Sequence, residues 1–187
     1  MRQFGLGLSL VLLSLGCHAN RAADVAAAEA AIQEFAGALQ TELKAAMKAG
    51  GPVTAIAVCN TRAMPITSRV AEKHGMQLSR VSLKNRNPHN AANSWQAAVL
   101  AEFENKRLSG TDSGQLGWTE TVDVGGGREF RFMKAIPTGD ICLRCHGTEL
   151  APDITRVLNE LYPDDLATGY SRGDIRGAFV VTRMIPD

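Results

Sequence analysis

From Asp24 to Met47 the apolar residues Ile32, Phe35, Leu39, Leu43 and Met47 recur at helical spacing, with charged residues between them. Gly50-Gly51-Pro52 stops this pattern, since glycine weakens a helix and proline cannot extend one. A second helical stretch begins near Val53; Pro65 is expected to interrupt it, and Gly75 to end its continuation. Met76 to Leu83 reads as a short strand and is followed by a polar loop through Asn90. Trp95, Val99 and Phe103 mark another helix, whose opposite face carries Glu102, Lys106 and Arg107.

Beyond Gly110 the period becomes two. Leu116, Trp118, Val122 and Val124 alternate with polar or small residues, Gly125-Gly126-Gly127 gives a turn, and Phe130, Phe132 and Ile136 alternate again. That is a hairpin. Ile154, Val157, Leu158 and Leu161 suggest a short helix, and Ala178 to Ile185 a closing strand. The expected class is α+β, with N-terminal helices packed on an antiparallel sheet. Met133 and Met184, in the strand-like runs, are expected in the core.

With 187 residues, 45% of them hydrophobic, the chain can bury one ordinary core, so residues 20–187 are read as a single domain. Its 20 basic and 19 acidic side chains leave a formal charge of +1, with no basic run to suggest a nucleic-acid partner. Residues 1–19 read as a secretory signal: Arg2, an apolar stretch from Phe4 to Gly16, then small and polar residues. The stretch is too short to span a membrane, which takes roughly 20 apolar residues. Leu13-Ser14-Leu15-Gly16-Cys17 resembles a lipoprotein cleavage site, which would put a lipid anchor on Cys17; Ser14 departs from the leucine usual there. Cleavage after Ala19 is the competing arrangement. Either places the protein in the periplasm or otherwise outside the cytoplasm.

The strongest chemical signal is Cys142-Leu143-Arg144-Cys145-His146, the C-x-x-C-H pattern of covalent haem attachment. Two thiols at this spacing can each add to one vinyl group of a single porphyrin, and the adjacent imidazole of His146 can then ligate the iron. The expected cofactor is therefore one covalent haem c. Of the 4 cysteines, Cys17 lies in the signal region and Cys59 is left over, so no structural disulfide is expected. Cys59 becomes a candidate for the second axial position as a thiolate, beside Met64, Met76, Met133 and Met184 as thioethers and His74 or His89 as imidazoles. His74, just before Gly75, suits a helix-end cation, and His89 a loop. A zinc site of Cys59, Cys142, Cys145 and His146 uses the same donors, but adjacent Cys145 and His146 fit one small ion poorly. A thioredoxin-like pair lacks its βαβ context.

Four stretches give a wider resemblance: Ala57-Val58-Cys59-Asn60; Ser82-Leu83-Lys84-Asn85-Arg86-Asn87-Pro88-His89-Asn90; Cys142-Leu143-Arg144-Cys145-His146-Gly147; and Tyr162-Pro163-Asp164-Asp165 with Gly173-Asp174-Ile175-Arg176-Gly177-Ala178. Over nearly the whole mature chain they resemble the PAS-like c-type haem-binding domain family of cyanobacterial and proteobacterial haem proteins. The resemblance implies a PAS-like fold, His146 as one axial ligand and Cys59 as the other. It also implies a redox or small-molecule sensor; enzymatic haem chemistry such as peroxide reduction needs a vacant distal position, which Cys59 ligation would block, so no enzyme is expected. Because the last strand runs to the end of the chain, a separate redox or signalling protein is expected as partner, and a diatomic gas as a candidate ligand. A plain electron-transfer cytochrome is the alternative. Arg80, Lys84 and Arg86 could grip haem propionates, but basic residues in polar loops are ordinarily solvated and are read so here. Asp174 and Arg176 are read as surface charges of a turn.

Overall fold

The structure, a computed structural model, describes the backbone of residues 12–185 and the side chains of residues 21–185. Residues 1–11 of the expected signal region, and the side chain of Cys17, lie outside the described residues. Four helices and four strands follow in the order α1 (Leu12–His74), β1 (Gln77–Val81), α2 (Ser94–Leu108), β2 (Gly117–Val124), β3 (Gly127–Pro137), α3 (Asp140–His146), α4 (Pro152–Leu161) and β4 (Ile175–Ile185). The sheet order is β1-β4-β3-β2, and every pair is antiparallel. The α+β class expected from the sequence is what the chain adopts.

α1 is two arms joined by a reversal. Gly50 (φ −156°, ψ 20°) and Gly51 (φ 72°, ψ −162°) leave helical geometry, and Gly51 takes a left-handed φ that glycine adopts without strain. Pro52 then opens the second arm, where a missing N–H costs nothing. The arms return alongside each other: Glu34 meets Lys73 at 2.8 Å and His74 at 2.9 Å, and Glu42 meets Arg62 at 3.2 Å. Pro65, expected to interrupt the second arm, does not; the helix runs through it. Pro65 and Thr61, whose carbonyl loses its donor, are both exposed, so solvent can take the donor's place.

Alternation along the strands gives the sheet two covered faces. On one, Leu78, Phe130, Phe132 and Val181 pack against Ala31, Phe35, Ile66 and Val70 of α1. On the other, Met133, Ala135, Ala178 and Val180 pack against Val99, Leu100 and Phe103 of α2. Asn93 caps α2 reciprocally with Gln96. Met133 is fully buried as expected, whereas Met184 is 48% exposed. It shares the face of Ala178 and Val180 but lies outside the cluster that α2 covers. A third, smaller cluster joins Ile56 of α1 to Ile154, Val157 and Leu158 of α4 and to Tyr162. No helix among the described residues is long and apolar enough to cross a membrane.

The reversal at Gly51 and the exposed helical Gly37 give opposite expectations. Gly51→Ala forces alanine into the left-handed region and should destabilise the fold by about 1–2 kcal/mol. Gly37→Ala meets no atom within 4 Å and should stabilise it by about 0.5–1 kcal/mol. Urea unfolding of the two variants checks the signs, and equal effects would contradict the described turn.

Candidate functional site

The C-x-x-C-H residues form α3, a helical conformation that the sequence pattern did not anticipate. β3 and β4 fall out of register between Ile136 and Pro137, and Thr138 is then tied to the turn before β4, its N–H donating to Asp174 O at 2.8 Å. α3 thus leaves from the end of an inner strand, and the site stands at the strand-end rim of the sheet. In this helix Cys142 and Cys145, spaced i and i+3, lie on one face. Gly147 closes it: its N–H donates to Leu143 O at 2.9 Å, and a Cβ there would sit 2.6 Å from that oxygen. The close approach demands glycine.

His146 is oriented by backbone. Its Nδ1 lies 2.7 Å from Ala167 O and 3.3 Å from Arg176 Nε. A carbonyl can only accept, so Nδ1 carries the proton; the longer contact then joins two donors and is not a hydrogen bond. The lone pair is left on Nε2, the arrangement of a metal-ligating histidine whose other nitrogen is held by a carbonyl. Burial first, then the Arg176 and Arg86 guanidiniums, push the imidazole pKa down to about 3, against the Ala167 hydrogen bond. The ring stays neutral. Tyr170 meets it edge-on, 6.4 Å between centroids.

The Ala167 carbonyl is itself held in place. Asp165 accepts the Ala167 N–H at 2.7 Å through Oδ1 and pairs with Arg86 through Oδ2, at 3.0 Å from Nε and 2.9 Å from Nη2. The same Nη2 donates to Cys145 O at 2.6 Å. Arg86 is only 12% exposed and Asp165 9%, so Arg86 is not a solvated loop residue. Nor is Arg176 a surface charge: it is partly buried, reaching Ser82 Oγ and Lys84 O, each at 3.2 Å. The Lys84 ammonium donates to Thr168 O and lies 4.6 Å from the Tyr170 ring. The sequence assigned no roles to Asp165, Ala167 or Tyr170 and read Arg176 only as a surface charge, although Asp165 and Arg176 fall in the family-like stretches.

Cys59 reaches the site on the second arm of α1. Ile56, Cys59, Ala63, Ile66 and Val70 follow a 3-4-3-4 spacing, and all but the half-buried Cys59 are buried, so the thiol continues the inward seam. Burial pushes the Tyr162 phenol pKa up, and the Asn60 side chain next to Cys59 opposes that rise. Burial pushes the Cys59 thiol pKa up, while Arg80 and Arg86 pull it down. Cys145 is likewise raised by burial, feels both Cys59 and Cys142, and packs on the cluster of Ile56, Ile154 and Tyr162. Cys59, Cys142 and Cys145 are all free thiols.

The structure thus packs Cys145 of α3 on the cluster of Ile56, from the arm that carries Cys59, and disperses the other ligand candidates. Met76 and Met133 are core residues, Met64 and Met184 are about half exposed, and His74 is bound to Glu34. His89 is exposed in the short 3-10 turn Pro88–Asn90. Among the described residues no three His, Cys, Asp or Glu side chains close around one point, which a zinc site would need.

The model of the Tll0287-like family matches residues 17–183. The chain belongs to the Tll0287-like family. This agrees with the resemblance drawn from its sequence. Among solved structures, the chain is similar to the cyanobacterial heme-protein Tll0287, with 25% identity and a TM-score of 0.58 over 94% of this chain and 97% of that one. No curated protein matches.

Within this member of the family, Asp165→Asn removes the only carboxylate gripping Arg86 among the described residues. Leaving a buried cation unpaired should cost about 3–5 kcal/mol. Breaking the exposed Arg156–Glu160 pair with Glu160→Gln should cost less than about 1 kcal/mol. Denaturant unfolding compares them, and an Asp165→Asn cost as small as that of Glu160→Gln would contradict the clasp.

Proposed function

We propose that this chain binds one haem covalently through Cys142 and Cys145, with His146 and Cys59 as the axial ligands, and serves as an extracytoplasmic redox or small-ligand sensor. The observation that supports this reading is the packing of Cys145, in a C-x-x-C-H helix whose histidine is held by Nδ1, on the arm of α1 that carries Cys59. The donor set fits the group. Two thiols lie on one face of α3, a neutral imidazole is held by its Nδ1, and a further thiol stands nearby with no disulfide partner. The related cyanobacterial heme-protein lends support.

Bound haem supplies a one-electron couple and, at a vacated axial position, a seat for a diatomic gas. The chain's own part is to hold the two axial donors on supports of different stiffness. His146 is fixed by Ala167 O, and through Asp165 by Arg86. Cys59 depends on the packing of one helical arm, whose seam continues into the sheet-facing core at Ile66 and Val70. A thiolate favours an oxidised metal, so of the two residues that would hold the iron Cys59 would be the more weakly held on reduction, and its arm would carry any shift into the core. A sensor needs such a two-state element. The signal would pass to a separate redox or signalling protein, with Cys17 as lipid anchor or removed by cleavage after Ala19.

Cys59→Ser tests the assignment. The purified variant should keep its haem through denaturing electrophoresis but lose the low-spin ferric absorption spectrum of the wild type. An unchanged low-spin spectrum rules out thiolate ligation. Carbon monoxide should bind the reduced wild-type protein; a six-coordinate reduced form that refuses it would favour a plain electron carrier.

A further inference from the structure

Arg80, Arg86 and Arg176 bear on Cys59 or His146, Lys84 stands over Tyr170, and three of the four are already committed. Arg86 grips Asp165, Arg176 donates to Ser82 Oγ and Lys84 O, and Lys84 donates to Thr168 O. Arg80 stands apart. It comes from β1, on the sheet face that α1 covers, with its guanidinium 5.3 Å from the Phe35 ring centroid. None of the ion pairs among the described residues includes it. The acidic groups that bear on it are the Cys59 thiol and the Tyr162 phenol, neither of them a carboxylate.

A guanidinium withdrawn from water without an anion is costly, and its planar fork of N–H donors matches a carboxylate. The clasp shows this locally, since the neighbouring buried arginine, Arg86, has its carboxylate in Asp165. The surplus charge beside Cys59 calls for an anion from outside the described chain. Haem carries two propionates, on the porphyrin edge away from the vinyl groups that α3 would hold, and Arg80 belongs to a different element from α3.

We propose that Arg80 seats a haem propionate, an assignment that rests on the haem reading above. The test is the resonance Raman spectrum of the ferric holoprotein, in which the propionate bending band responds to hydrogen bonding at that carboxylate. Arg80→Met keeps an apolar stem on Phe35 but removes the fork. It should shift that band and lower the reduction potential, with haem still attached and the axial-ligand absorption unchanged. Arg80→Lys keeps the charge without the fork; it should shift the band part of the way and serves if the methionine variant does not fold. A propionate band identical to wild type in the folded variant, with haem attached and low-spin, overturns the assignment while leaving the haem reading intact. Absence of covalent haem from the wild-type protein overturns both.

Discussion

The ion pair of Arg86 with Asp165 joins three segments that are distant in the chain. Arg86 belongs to the loop after β1, Asp165 to the segment after α4, and the carbonyl that shares the Arg86 fork to Cys145 of α3. Two charges this deeply buried lose much hydration, and their attraction offsets that loss only when the remaining donors and acceptors are also used. Asp165 Oδ1 accepts the Ala167 N–H, Arg86 Nη2 also donates to Cys145 O, and the Ala167 carbonyl accepts the hydrogen bond from His146 Nδ1. The orientation of one imidazole is thereby tied to a salt bridge that the ring does not touch.

The opposite side of the site is built by packing. Gly51 turns α1 back on itself, and the second arm presents Ile56, Ala63, Ile66 and Val70 to the interior with Cys59 among them. Cys59 is therefore placed by the packing of this arm. A histidine held by a backbone hydrogen bond and a thiol held by a helix seam make an asymmetric pair of supports. That asymmetry is the physical basis of the sensor reading, because the softer support is the one able to move.

Most of the architecture was legible because burial imposes a period on the chain. The helical spacing around Phe35 and the alternation through Phe130 and Phe132 each mark a real element. α3 was not legible as a helix, since its seven residues, Asp140–His146, are chosen for chemistry and show no apolar stripe. Pro65 misled because a proline on the exposed side of a helix leaves a carbonyl that water can satisfy. The spacing of Cys142, Cys145 and His146, and for Cys59 the family resemblance, are what the proposed site is built on. The burial of Arg86 was not legible, because it depends on a carboxylate 79 positions away that no local pattern connects to it. The same holds for Arg176, which meets Ser82 at a separation of 94.

The proposed function turns on one chemical statement, that His146 and Cys59 would share an iron. Low-temperature electron paramagnetic resonance of the ferric wild-type holoprotein tests it most directly, since the spread of g values reports the axial donors. The account predicts a low-spin signal with the narrow spread of an imidazole–thiolate pair. A widely spread low-spin signal, as from histidine–methionine or two histidines, or a high-spin signal from an iron without a sixth ligand, would contradict it.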